Sequence, residues 1–164
     1  MKDKTKAFIK ELIPYIVILI VVVLIRSFIV TPVKVSGESM YPTLKGTEVM
    51  ILNKLDKKYE RYDIVVVKSS DGDIIKRVYG LPGETIECEN NTIYINGKKI
   101  EDEYGHGKTM NFKKYELGDN EYFVLGDNRM NSKDSRIFGP FKEDEIKGTT
   151  KLVIFPFTKI GNVE

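Results

Sequence analysis

A mostly β domain of antiparallel strands, preceded by one membrane-spanning helix, is the fold class that this sequence predicts. Two observations carry it. One is a single long apolar run near the N-terminus; the other is a series of short Val-, Ile-, Thr- and Tyr-rich stretches separated by Gly, Asn and Asp. The 164 residues suffice for an anchor followed by a single domain of about 130 residues with its own core.

From Leu12 to Ile25 the chain reads LIPYIVILIVVVLI, and after Arg26 and Ser27 it continues with Phe28, Ile29 and Val30. Residues 12–30, about 19 in all, approach the ~20 needed to cross a bilayer core, and Arg26 stands near enough to the end for its guanidinium to reach the headgroups. Lys2, Lys4, Lys6 and Lys10 are expected to hold residues 1–11 in the cytoplasm, which puts 31–164 on the extracytoplasmic face. A buried core strand would be too short to use so many apolar residues. A cleaved secretory signal shares the basic start and apolar centre, but no small-x-small cleavage site falls between Ser27 and Lys34, so an uncleaved anchor is favoured.

Beyond Val30 the pattern changes to alternation. Residues 31–35 alternate clearly and 49–52 more weakly; 63–67, 73–79, 84–89, 92–95, 121–125 and 151–155 then read as strands. Asn90-Asn91 and Asn96-Gly97 suit two-residue hairpin turns, so a small antiparallel meander is expected over 84–101. The following EDEYGHGKTMNFKKY, residues 101–115, reads as a polar surface loop that completes this 84–115 region. Lys142 to Lys147 suggests a short helical turn.

The charge distribution excludes one class of partner. Five of the 26 Lys and Arg and two of the 24 Asp and Glu lie in residues 1–30, which leaves the rest of the chain near neutral. Such a domain lacks the basic face that phosphate neutralisation requires, so nucleic acid is not an expected partner. Cys88 and His106 are each the sole residue of their type. One cysteine makes no internal disulfide, and a lone Cys with a distant lone His makes neither a zinc site nor a thiol dyad, so no metal or cofactor is expected.

Candidate chemistry centres on Ser36-Gly37-Glu38-Ser39-Met40-Tyr41-Pro42-Thr43-Leu44, where glycine and proline around Ser39 indicate a tight exposed turn. Ser39 is there either a nucleophile or an ordinary turn serine. A serine nucleophile needs a base. His106, in a polar loop with no orienting carboxylate pattern, is poorly placed for one. Lys76 lies inside the apolar stretch Ile74-Ile75-Lys76-Arg77-Val78-Tyr79, where desolvation would lower its pKa towards a useful range; the alternation alone fits an outward-facing strand lysine equally.

Three segments together resemble a known family. The Ser36–Leu44 stretch is similar to the nucleophile box of the type I bacterial signal peptidases, and Lys76-Arg77-Val78-Tyr79-Gly80-Leu81-Pro82-Gly83-Glu84 resembles their lysine box. Gly126-Asp127-Asn128-Arg129-Met130-Asn131-Ser132-Lys133-Asp134-Ser135-Arg136 resembles their C-terminal box. The boxes stand in the family's order behind an N-terminal anchor, over residues 12–140, and the short chain is similar to the compact Gram-positive form. The resemblance implies an antiparallel, barrel-like protease domain with a Ser-Lys dyad that cleaves exported preproteins after small residues in an Ala-x-Ala-like site.

By the same resemblance, Ser39 is the acyl-forming nucleophile and Lys76 the general base. Ser132 would hydrogen-bond the lysine amine, and Asp127, Asp134, Arg136 and Arg77 would form charge pairs beside the catalytic strand. The Ser39 backbone N–H would meet the oxyanion. Some family members carry a serine donor two residues before the nucleophile, as the compact members commonly do not; here Gly37 offers backbone freedom instead. Eight residues separate Val30 from Ser39 and span less than about 30 Å, so the nucleophile must work close to the membrane. Met40 and Tyr41 would then face lipid or line the substrate groove. Expected partners are preprotein signal peptides and membrane lipid, with the protein translocation channel as a further candidate. The rival readings are a self-cleaving repressor-type protease, a non-catalytic tethered β domain, and a processing enzyme dedicated to one substrate set such as pilus subunits.

Overall fold

The apolar run is one helix, α1, Lys2–Phe28, whose apolar length is buried by none of the other described residues. The computed structural model describes residues 2–163, with side chains from Lys10 onward. Within α1, Lys10–Phe28 is long and apolar enough to cross a membrane. The helix stops at Phe28, and Val30, read from sequence as the end of the anchor, opens strand β1, Val30–Lys34. The end is firmly capped: Lys54 Nζ donates to the Arg26 and Ser27 carbonyls at 3.1 Å each, and Thr31 Oγ1 donates to Arg26 O at 2.7 Å. These donors satisfy carbonyls that a helix terminus leaves without intrahelical partners.

The remaining chain is antiparallel β structure. Strands β2 (Val49–Asn53), β3 (Ile64–Ser69), β4 (Gly72–Gly80), β5 (Thr85–Glu89), β6 (Thr92–Ile95) and β7 (Lys98–Lys99) are followed by β8 (Phe112–Glu116) and β9 (Glu121–Leu125). A four-residue helix, α2 (Ser135–Phe138), precedes β10 (Phe141–Lys142), β11 (Ile146–Phe155) and β12 (Gly161–Asn162). The larger sheet runs β1-β2-β11-β3-β4-β9-β10, with β12 beside β11; the smaller runs β7-β6-β5-β8. The Lys142–Lys147 stretch contains a 3-10 turn, Glu143–Glu145.

Two strands differ from the sequence reading by more than two residues. The segment 101–115 is not all loop, because Phe112–Glu116 is β8, paired with β5 through Thr85↔Glu116 and Ile86↔Tyr115. Phe112 and Tyr115 supply its packing: their rings lie 5.2 and 5.1 Å from that of Phe123. The last long strand starts at Ile146 rather than Lys151 because Gly148 lets two backbones touch, a Cβ there colliding with Asn53 O. Asn90-Asn91 and Asn96-Gly97 have positive φ throughout and close the β5–β6 and β6–β7 hairpins, the conformation two-residue hairpin turns demand.

The β4–β9 pair is the structural centre. Val78 and Val124 pack into one apolar cluster with Val65, Val67 and Phe141, while Tyr79, Phe123 and Leu125 pack into another with Ile86, Ile93 and Leu117. Alternate side chains of each strand thus enter different cores, and both faces are covered. Phe123 is fully buried in the second. Phe123→Ala is expected to destabilise the domain by about 3–5 kcal/mol, read as a lower urea midpoint with unchanged slope.

Candidate active site

Lys76 has no solvent face available to it. From Lys76 to Gly80 every residue of β4 is buried, and Lys76 itself is only 3% exposed. The alternation could not disclose this, because a strand covered on both sides has no outward face. Nζ donates to the neighbouring Ile75 carbonyl at 2.9 Å and to Ser39 Oγ at 2.7 Å. Burial is the main influence on the amine and drives its pKa down to about 8; Asp134 and Asp127 act in the opposite direction.

Ser39 reaches the lysine from a turn fixed at both sides. Met40 and Leu44 are both 1% exposed and share a cluster with Val35, Met50 and Ile64. Leu44 N donates to Met40 O at 2.8 Å and Tyr41 N to Glu38 O at 3.0 Å, tightening the turn around the half-buried serine. Gly37 has φ +82°, a conformation that L side chains rarely adopt. Among the described residues no acceptor is paired with the Ser39 backbone N–H.

The C-terminal segment 126–136 lies against both. Gly126 is where three pieces of chain converge: a Cβ there would strike Ser132 Oγ and come within 2.6 Å of Ser39 O. Ser132 Oγ is buried and has no hydrogen-bond partner among the described residues; Lys76 Nζ donates instead to Ser39 and Ile75. Asp127 is fully buried and accepts from Arg77 Nε at 3.0 Å, Arg77 Nη2 at 2.8 Å and Thr43 Oγ1 at 2.6 Å. One carboxylate therefore ties the serine turn, the lysine strand and the C-terminal segment together. Asp134 pairs within its own segment, accepting from Arg136 Nε and Nη2 at 2.8 Å each and from Gly126 N at 2.9 Å.

Three contributors had no sequence signal of their own. Arg129 is 1% exposed and grips Asp102 through Nη1 at 2.6 Å and Nη2 at 2.9 Å, with Gly126 O accepting from its Nε. Asp102 belongs to the stretch read as a surface loop, yet it also accepts from the Tyr79 hydroxyl at 2.6 Å. The loop is therefore fastened to the core. Nothing in the sequence singles out Thr43 within the Ser36–Leu44 stretch; its bond to Asp127 distinguishes it. The Arg77 guanidinium also stacks on the Tyr104 ring, 3.7 Å from its centroid.

The two singletons lie outside the serine–lysine contact. His106 is exposed, its backbone paired with Asp127 O and Arg129 N and its ring edge-on to Tyr41 at 5.8 Å. Cys88 is buried in β5, where burial pushes its thiol pKa up. Among the described residues no group of three or more His, Cys, Asp or Glu converges as metal ligands do.

Residues 8–155 match the family model described as "Signal peptidase, peptidase S26". Signal peptidase I S of Bacillus subtilis is 38% identical over 96% of this chain and 95% of its own. Signal peptidase I P of Bacillus subtilis subsp. natto is 38% identical over the full length of both, and a Bacillus amyloliquefaciens signal peptidase I is 40% identical over 88% of this chain and 86% of its own. A crystal structure of a signal peptidase I from Enterococcus faecalis aligns with TM-score 0.51 and 34% identity, covering 56% of this chain and 96% of that one.

The buried lysine has a thermodynamic signature. Its folded pKa lies below the ordinary 10.5, so between about pH 8 and 10.5 the native state binds fewer protons than the unfolded one. Stability contributed by this group therefore rises with pH across that window. Lys76→Met removes the effect. Its stability advantage over wild type is expected to shrink by about 3 kcal/mol between pH 7 and 10.5 in parallel urea titrations.

Proposed function

The chain belongs to the peptidase S26 family of signal peptidases, and we propose that it acts as a membrane-bound enzyme that cuts preproteins through an acyl-serine. Serine endopeptidase chemistry and signal peptidase I activity on preprotein signal peptides come with that membership. The 2.7 Å approach of Lys76 Nζ to Ser39 Oγ is the observation that supports the finer reading.

The neutral Lys76 amine accepts the Ser39 hydroxyl proton as Oγ attacks the scissile carbonyl carbon. The carbonyl π electrons move to oxygen, and the Ser39 N–H stabilises that oxyanion; one such donor is typically worth about 2.7–4 kcal/mol in the transition state. As the intermediate collapses, the C–N bond breaks and the Lys76 ammonium returns a proton to the leaving amine, giving acyl-Ser39 and a neutral lysine. Lys76 then takes a proton from water, whose oxygen attacks the ester carbonyl; collapse returns that proton to Ser39 Oγ and frees the signal peptide as its carboxylic acid, which ionises in water. In this reading Ser132, whose buried hydroxyl has no partner among the described residues, takes the role of steadying the amine as it changes protonation state. Arg77 with Asp127, and Asp134 with Arg136, keep the surrounding segments from moving apart.

In this reading α1 spans the bilayer with its basic N-terminus cytoplasmic, and residues 31–164 form the extracytoplasmic catalytic domain. The short connection from Phe28 to Ser39 keeps the nucleophile near the membrane surface, where a signal peptide emerges. Small side chains before the cut, in an Ala-x-Ala-like pattern, allow the extended substrate to approach the shallow site as an added strand.

Ser39→Ala and Lys76→Ala are each expected to abolish cleavage of an Ala-x-Ala preprotein in detergent while remaining folded; robust cleavage by either contradicts the dyad. For the wild type, kcat/KM is expected to rise about tenfold per pH unit below pH 7 and to level off above about 8, tracking the neutral amine.

A further inference from the structure

We propose that Asn128 is a positioning residue that aims and polarises the oxyanion-binding N–H of Ser39. The inference rests on the acyl-serine reading above. It comes from the way Asn128 grips the chain on both sides of the nucleophile's peptide nitrogen. Its side-chain Nδ2 donates to Glu38 O at 3.1 Å, and its backbone N donates to Ser39 O at 3.0 Å. Glu38 O can only accept, so the amide nitrogen must be the end that faces it.

The Glu38 carbonyl and the Ser39 N–H belong to one peptide unit. That peptide is trans and planar, so its C=O and N–H point in opposite directions. Holding the carbonyl towards Asn128 turns the N–H to the opposite edge of the peptide. The second bond, to Ser39 O, fixes the next peptide and removes rotation about the residue that carries Oγ. Tyr41 N also donates to Glu38 O, at 3.0 Å, so this carbonyl accepts two bonds. Donors on a carbonyl polarise the amide and strengthen its N–H as a donor. Asn128 therefore acts on the oxyanion without touching substrate.

Asn128 is itself immobilised. Asp127 on one side is fully buried against Arg77 and Thr43, Arg129 on the other is locked to Asp102, and the His106 backbone bridges both neighbours. The C-terminal segment thus delivers a rigid amide to the serine turn. Its position in that segment carries no charge, and nothing in the spacing distinguishes it from Asn131, which is exposed.

The test compares wild type, Asn128→Asp and Asn128→Ala. Aspartate keeps the shape but has no N–H; alanine drops the amide and adds no charge, and both keep the backbone bond to Ser39 O. Each is expected to lower kcat by about tenfold or more, less than the 10²–10³ typical of deleting an oxyanion donor, because Tyr41 N remains. For Asn128→Ala, which adds no charge, KM, the pH midpoint set by Lys76 and the melting temperature are expected to stay near wild type. A peptide aldehyde, whose serine adduct carries an oxyanion-like oxygen, should lose affinity in step with kcat/KM, while a non-cleavable peptide binds unchanged. The proposal is overturned if Asn128→Ala keeps full kcat, or if its loss appears equally in KM or in the affinity of the non-cleavable peptide. Failure of the wild type to cleave any preprotein or form the aldehyde adduct would instead overturn the acyl-serine reading itself.

Discussion

An amine has to be kept dry beside a hydroxyl, and the architecture follows from that requirement. Water would hold Lys76 as an ammonium near its ordinary pKa; the covered β4–β9 pair removes the water and brings it down to about 8. Placing the lysine on a strand sealed on both faces demands two apolar cores rather than one, which is why Val78 and Tyr79, adjacent in sequence, pack into different clusters. The serine turn is then brought to the lysine by burying Met40 and Leu44 in a third cluster.

Packing alone would leave the three segments free to drift by an ångström, enough to weaken catalysis greatly. Asp127 prevents this. Its carboxylate joins Thr43 beside the serine, Arg77 beside the lysine and its own segment, with negligible exposure at any of the buried charges. Removing one partner of such a pair strands a charge in the interior, typically at about 3–5 kcal/mol. Arg129 and Asp102 repeat the device one layer out and bind the loop after β7 to the same frame. Desolvation lowers the lysine's pKa, and the ion pairs hold the geometry that the proposed mechanism requires.

Much of this was legible in the sequence because it has a period or a local chemical signature. The apolar run, the alternating strands and the Asn-rich hairpins follow from local rules, and the serine turn announces itself by its glycine and proline. What was not legible depends on the third dimension. Alternation left Lys76 ambiguous because burial on both faces erases the distinction it measures. Strand β8 was hidden in polar Lys113 and Lys114, whose side chains face water while Phe112 and Tyr115 face in. Asp102, Thr43 and Asn128 reach the site through partners between 23 and 90 positions away, and no spacing rule reaches that far.

The central claim is that burial, and not a neighbouring imidazole, makes a base of Lys76. It is tested most directly by following the Lys76 Nζ resonance of selectively labelled protein, in a Ser39→Ala background that prevents turnover, from pH 6 to 11. The account predicts a midpoint near 8, separated from the other lysines. A midpoint at the ordinary 10.5, in a protein that remains folded and whose parent cleaves, would contradict it.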